Sequence, residues 1–189
     1  MADTKIASEV LHEDEIKSRV VELGAAISRD YDGRDPLFLV MLTGSVPFGA
    51  DLVRAIEMDA EVDFFGLNRF GESGKIGVTL DTSTPLFDRH VIIVEDVIDT
   101  GLTLTTLRKM IMDRGAASVS TATLLDKTRR RLTEVPIEYR GFEVGDEFLV
   151  GYGLDWQGLY RNLRSIWVIL DMEMLVADPK ALARELGQT

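Results

Sequence analysis

Between Val91 and Thr103 the chain reads VIIVEDVIDTGLT, four branched apolar residues that run without a break into Glu95, Asp96, Asp99, Thr100, Gly101 and Thr103. A run with no polar face is a strand buried on both sides, the condition of a strand inside a parallel sheet. Its polar end then falls at the carboxyl edge of the sheet, where open α/β sheets hold their ligands. This stretch commits the chain to an α/β architecture with a ligand site at the strand ends.

Composition narrows the ligand. With 46% hydrophobic and 28% charged residues the chain has ordinary globular character, and 189 residues suit a single well-cored domain. A net charge of −11 argues against binding to a nucleic-acid backbone, which needs a basic surface, but permits a small phosphorylated ligand at a local site. The absence of cysteine excludes disulfides, thiolate metal sites and thiol nucleophiles. His12 and His90 stand beside no serine nucleophile motif. No apolar leader or membrane-length run is present, so a cytoplasmic protein without membrane association is expected.

Elsewhere, an acidic start at His12 opens a helix with Ile16, Val20, Leu23 and Ile27 on one face. Leu37–Leu42 gives a second buried strand, ending in Thr43-Gly44-Ser45 before a helix that runs to about Glu57. Backbone N–H groups in such a glycine-centred turn can face an anion, although a plain strand-to-helix turn uses the same residues. Ala60–Phe65 and Val78–Leu80 read as strands flanking a glycine-rich hairpin or flap. Its GESGK segment lacks the first glycine of a nucleotide-binding P-loop, because position 69 is arginine.

The stretch Thr100-Gly101-Leu102-Thr103 precedes a helix beginning at Thr103, and its N–H groups, hydroxyls and helix dipole suit a phosphate monoester. Further strands are read at Ser118–Leu125, Tyr139–Glu143, Phe148–Tyr152 and Ile166–Leu170, with a short terminal helix from Asp178. Lys127 follows a strand at the same edge as the acidic loop, whereas Arg129 and Arg130 read as a solvated face. The predicted fold is a twisted, mostly parallel sheet with helices on both faces, plus a small hood and a flexible antiparallel flap.

VIIVEDVIDTGLT resembles the ribose-phosphate signature of the type I phosphoribosyltransferases. LHEDEIKSRVVELGAAISRDY, LTGSVPFGADL, VDF, the lysine of LLDK and FLVGYGLDWQGLYRNL stand in the order of the hypoxanthine-guanine branch. The resemblance implies transfer of a 5-phosphoribosyl group from phosphoribosyl pyrophosphate to N9 of a 6-oxopurine in purine salvage. Pyrophosphate and a nucleoside monophosphate are the products, and Mg2+ is the cofactor.

By this resemblance Glu95 and Asp96 face the ribose hydroxyls and magnesium, and Asp99 takes or shares the purine N7 proton. Thr100, Gly101, Leu102 and Thr103 hold the 5′-phosphate, and Thr43, Gly44 and Ser45 form the pyrophosphate loop. Lys127, Phe148 and Leu149 meet the base. Asp155 lies on the magnesium side through water, and Arg161 pairs with pyrophosphate. A lysine donates to a 6-oxo group but cannot accept from a 6-amino group, which favours oxopurines.

The resemblance implies one domain over residues 1–189, its hood drawn from the N-terminal segment and residues 127–170. Residues 171–189 form a C-terminal extension outside the match. A homodimer or homotetramer is expected, with the apolar positions near Val46–Val53 one possible contact. Two departures bear on the acceptor: Thr43 stands where many members of the branch have lysine or asparagine, and Arg69-Phe70 stands in a flap that is shorter than usual and normally carries Ser-Tyr there. They leave open a relative that uses xanthine or a purine analogue in a specialised pathway. A nucleotide-sensing, RNA-binding regulator of the same fold is the alternative from another class.

Overall fold

The computed structural model describes residues 5–70 and 75–187. Gly71 to Gly74 and the side chains of Arg69 and Phe70 lie outside the described residues, and with them the expected flap closure by this pair. Chain contacts form two compact units, Arg19–Asp146 and Met1–Ser18 with Glu147–Thr189.

The larger unit is built on a six-stranded sheet. Its strands are β2 (Leu37–Leu42), β3 (Glu61–Phe70), β4 (Lys75–Leu80), β5 (His90–Ile98), β6 (Ser118–Asp126) and β7 (Tyr139–Glu143), in the order β4-β3-β2-β5-β6-β7. All neighbours pair in parallel except β3 and β4. Leu37, Leu39, Val91 and Ile93 cluster with Leu104, Leu107 and Ile111 of helix α3 (Leu102–Asp113). Val40 points to the opposite face, where a side chain at Gly49 of helix α2 (Val46–Arg54) would meet its methyls. Helices therefore cover both faces, which is why the central strands carry no polar alternation.

The chain leaves β2 toward β3 and leaves β5 toward β6, so connections diverge from two adjacent strands. Their carboxyl ends form the topological switch point, the crevice where sheets of this kind bind ligands. The β3–β4 hairpin extends further than the apolar residues suggested, because Leu67↔Val78 and Asn68↔Gly77 continue a backbone ladder that needs no apolar side chains. Helix α2 stops at Arg54, short of the expected Glu57. Of the Val46–Val53 stretch, Phe48, Gly49 and Leu52 face the core and Val46 remains exposed.

The smaller unit holds an antiparallel sheet of β1 (Ala7–Leu11), β9 (Ile166–Ile169) and β8 (Leu149–Val150), ordered β1-β9-β8. Helix α1 (Glu13–Asp30) begins in this unit and continues into the larger one. Its first turn is acidic, and Glu15 reaches back to the His12 amide at 2.9 Å, half of a capping box. Two short helices, α4 (Met172–Ala177) and α5 (Ala181–Glu185), complete the unit. Among the described residues no helix is long and apolar enough to cross a membrane.

Candidate active site

The acid pair of β5 is positioned from β2's side of the crevice. Ser45, 1% exposed, donates its hydroxyl to the Glu95 carboxyl and accepts the Asp96 amide at 2.9 Å. Sequence reasoning expected Ser45 to act through its main chain; its side chain ties the turn after β2 to the strand end of β5. Thr43, reached through a cis peptide from Leu42, is exposed beside buried Gly44. Burial, and then the charge of Asp96, pushes Glu95 well above the ordinary glutamate range, against the lowering pull of Ser45.

That displacement makes stability depend on pH. Well below the usual glutamate range both folded and unfolded chains carry the proton; as pH rises the unfolded chain loses it first, and folded stability falls until Glu95 also ionises. Glu95→Gln removes the effect. In metal-free buffer its melting temperature should match the parent below the usual glutamate range and exceed it increasingly as pH rises above that range, by roughly 2–4 °C per kcal/mol recovered. Parallel profiles would show that the carboxyl is not strained.

Beyond the acids the chain turns into α3 around a cavity of about 370 Å³ lined by Glu95, Asp99, Thr100, Gly101, Thr103 and Arg130, among others. Gly101 is required twice over: its φ of +82° is left-handed, and a Cβ there would lie 2.9 Å from the Thr133 hydroxyl. The Leu132 amide donates to the Thr100 carbonyl at 2.9 Å, fixing the loop from behind. The Leu102 side chain is exposed, and the helix begins there, one residue before the expected Thr103. The start of α3 borders this cavity, and a helix N-terminus brings N–H groups and a positive dipole end that favour an anion.

Lys127 sits directly after β6, its amide donating to the Ile98 carbonyl at 3.0 Å. Arg129 and Arg130 are exposed, as expected of a solvated face, but Arg130 also meets the acidic loop. A 3₁₀ turn, Thr128–Arg130, brings Arg130 Nε to 2.8 Å from Asp99 Oδ1. Arg131 pairs with fully buried Asp126 and also donates to the Asp99 carbonyl at 3.3 Å, while Arg140 Nε lies 2.7 Å from the other Asp126 oxygen. A separate cavity of about 520 Å³ lies against Asp126, Arg131 and Arg140, and no sequence-predicted site residue lines it.

In the smaller unit, Phe148 meets Trp156 edge-on, with ring centroids 5.4 Å apart. Leu149 is buried in β8, opposite Val168. Asp155 and Arg161 contact each other at 2.8 Å; Asp155 also accepts the Gly158 amide, and Arg161 donates to the Gly153 carbonyl.

Magnesium binds hard oxygens, commonly one or two carboxylates completed by ligand oxygens and water. Glu95 and Asp96 fit that demand: they are adjacent carboxylates at one strand end, and a cation beside them would offset the Asp96 charge that adds to burial in raising the Glu95 pKa. Among the described residues no three His, Asp or Glu side chains converge into a cage, and magnesium requires none.

A doubly wound sheet whose switch point joins paired acids to a cavity at a helix N-terminus defines a class of proteins that bind phosphorylated ligands at the strand ends. The family model described as "Phosphoribosyl transferase domain" matches residues 7–157, and the chain belongs to that family. It is 42% identical over 173 residues to the hypoxanthine-guanine phosphoribosyltransferase of Streptococcus pneumoniae, covering 89% of this chain and 96% of the relative. The Bacillus subtilis protein of that name is 40% identical over 164 residues, 85% of this chain and 91% of the relative. The crystal structure of a hypoxanthine-guanine phosphoribosyltransferase from Bacillus anthracis superposes with a TM-score of 0.84 at 36% identity, covering 88% of this chain and all of that one.

Proposed function

We infer that this chain is a purine phosphoribosyltransferase of salvage, transferring the 5-phosphoribosyl group of phosphoribosyl pyrophosphate to N9 of hypoxanthine or guanine. The observation that carries this reading is the junction of the acid pair, Asp99 and the α3 N-terminus at one switch point, in a chain 42% identical to such an enzyme. In the reaction the C1′–oxygen bond to pyrophosphate breaks, its electrons leave with pyrophosphate, and purine N9 bonds to C1′. Positive charge grows on the ribose as negative charge grows on the leaving group, so the site must be preorganised for both.

This chain's residues divide that work. Glu95 and Asp96 accept hydrogen bonds from the ribose hydroxyls and place negative charge near the sugar. Thr100, Gly101, Leu102 and Thr103 hold the 5′-phosphate on the dipole of α3. Asp99 receives the N7 proton as N9 attacks. The amides of Thr43, Gly44 and Ser45 bind pyrophosphate, with Arg161 as its cationic partner. Bound magnesium, held by Glu95 and Asp96 and through water by Asp155, would supply charge neutralisation to the ribose and pyrophosphate oxygens.

Lys127 donates to the purine 6-oxo group, Phe148 stacks on the ring and Leu149 offers main-chain groups to the base edge. Lys127→Ala should reduce the preference for hypoxanthine over adenine in kcat/KM by about tenfold or more, since one charge-assisted hydrogen bond is lost. An unchanged ratio would remove Lys127 from base recognition.

The deciding experiment is pyrophosphate release with magnesium across hypoxanthine, guanine, xanthine and adenine. Turnover of hypoxanthine and guanine supports the reading, preference for xanthine moves the chain to the related alternative, and preference for adenine overturns the base assignment. The RNA-binding alternative rested on the basic run, of which Arg130 and Arg131 are engaged with Asp99 and Asp126. Electrophoretic binding of structured RNA, with no transfer to any base, would restore it.

A further inference from the structure

Arg130 holds a position that its own basic run did not predict. Its Nε is 2.8 Å from Asp99 Oδ1, and that oxygen is covered without an aligned hydrogen bond. Its two terminal nitrogens make no hydrogen bond to the described residues, and the side chain lines the same cavity as Thr100, Gly101 and Thr103. Arg131 holds the Asp99 carbonyl at 3.3 Å, so the loop backbone is tethered independently of Arg130.

The ion pair is about half exposed on both sides, 45% and 44%, and solvent screens it heavily. A phosphate dianion offers a guanidinium a stronger, bidentate partner. The same cavity concentrates anions at the α3 N-terminus, so phosphate would arrive beside donors that are not yet engaged.

We propose that Arg130 is a movable clasp: it covers Asp99 while the loop is empty and transfers its guanidinium to the 5′-phosphate when a phosphorylated ribose fills Thr100–Thr103. The inference rests on the reading of that loop as the 5′-phosphate site. Its consequence is that phosphate occupancy uncovers the carboxylate that takes the purine proton. A nucleoside without phosphate must compete with the clasp for Asp99, whereas a nucleoside monophosphate recruits it.

The test compares inosine 5′-monophosphate with inosine on the full chain by calorimetric titration, for the parent, Arg130→Ala and Arg130→Lys, with thermal unfolding confirming that each variant is folded. Arg130→Ala should weaken the monophosphate by about tenfold, the loss of one charge-assisted contact, while inosine binding holds or tightens. Arg130→Lys keeps charge without the fork and should restore part of the loss. Equal losses for both ligands, or no loss for the monophosphate, overturn the clasp. A parent protein that releases no pyrophosphate with any base fails the underlying functional reading instead, and the two failures are thus distinguishable.

Discussion

Asp99→Asn is expected to lower turnover with hypoxanthine by at least about tenfold, and by up to 10²–10⁴ if general-base transfer is fully lost. Asparagine preserves the shape of the side chain and removes only the charge and basicity. The residue is 44% exposed, so the change leaves no buried void and should not compromise folding. The backbone of the phosphate loop does not depend on this carboxylate, because Gly101 holds its left-handed turn and the Leu132 amide still donates to the Thr100 carbonyl. Phosphoribosyl pyrophosphate should therefore bind as well as before, or more tightly because Arg130 is released from Asp99, with the loss falling on kcat rather than on donor affinity. Single-turnover rates beside calorimetric donor binding separate the two. Unchanged turnover would remove Asp99 from proton transfer.

The sheet was legible because its parallel strands are buried on both faces and write that condition as unbroken apolar runs: Leu37–Leu42 was found with its observed bounds. Strand β1 was not, because Ala7–Leu11 mixes polar and apolar residues and owes its conformation to pairing with Ile166–Ile169 at the far end of the chain. Helix α4 escaped for a related reason. Its six residues, Met172–Ala177, are too few to display a helical period, and its cap, Asp171 accepting the Met174 amide at 2.8 Å, lies about two turns before the Asp178 boundary that proline made conspicuous.

The candidate site divides in the same way. Glu95, Asp96, Asp99 and the loop to Thr103 are consecutive, so one strand and one turn suffice to assemble them. Ser45 bonds across 51 residues, and Arg130 reaches Asp99 from another strand's end. Those partnerships exist only after β2, β5 and β6 have been set side by side. Gly101 shows the intermediate case: its need for a left-handed turn is local, but its close approach to Thr133 is tertiary.

The second large effect is expected from removing the chain after Asp171. The terminal helices are not an appendage: Leu175 and Leu182 are fully buried, and Ala181 joins them in a cluster with Ile6, Ala7, Val150, Tyr160, Leu163 and Ile169. Two polar ties accompany this packing, the Ile6 amide to Glu185 at 3.1 Å and the Tyr160 hydroxyl to the Pro179 carbonyl. Losing two fully buried leucines costs about 3–6 kcal/mol at roughly 1.5–3 each, a large part of the 5–15 typical of a folded domain. The melting temperature should fall by about 10 °C or more. Leu182→Ala alone should cost about 2–5 kcal/mol by the cavity it leaves. The loss should also reach function, since Tyr160 adjoins Arg161 in sequence and closes the turn in which Arg161 contacts Asp155. Donor KM should therefore rise in Tyr160→Phe, which loses only the hydroxyl tie, by a smaller factor than in the truncated chain. A truncated protein with the parent's melting temperature would show that the helices cover this core without stabilising it.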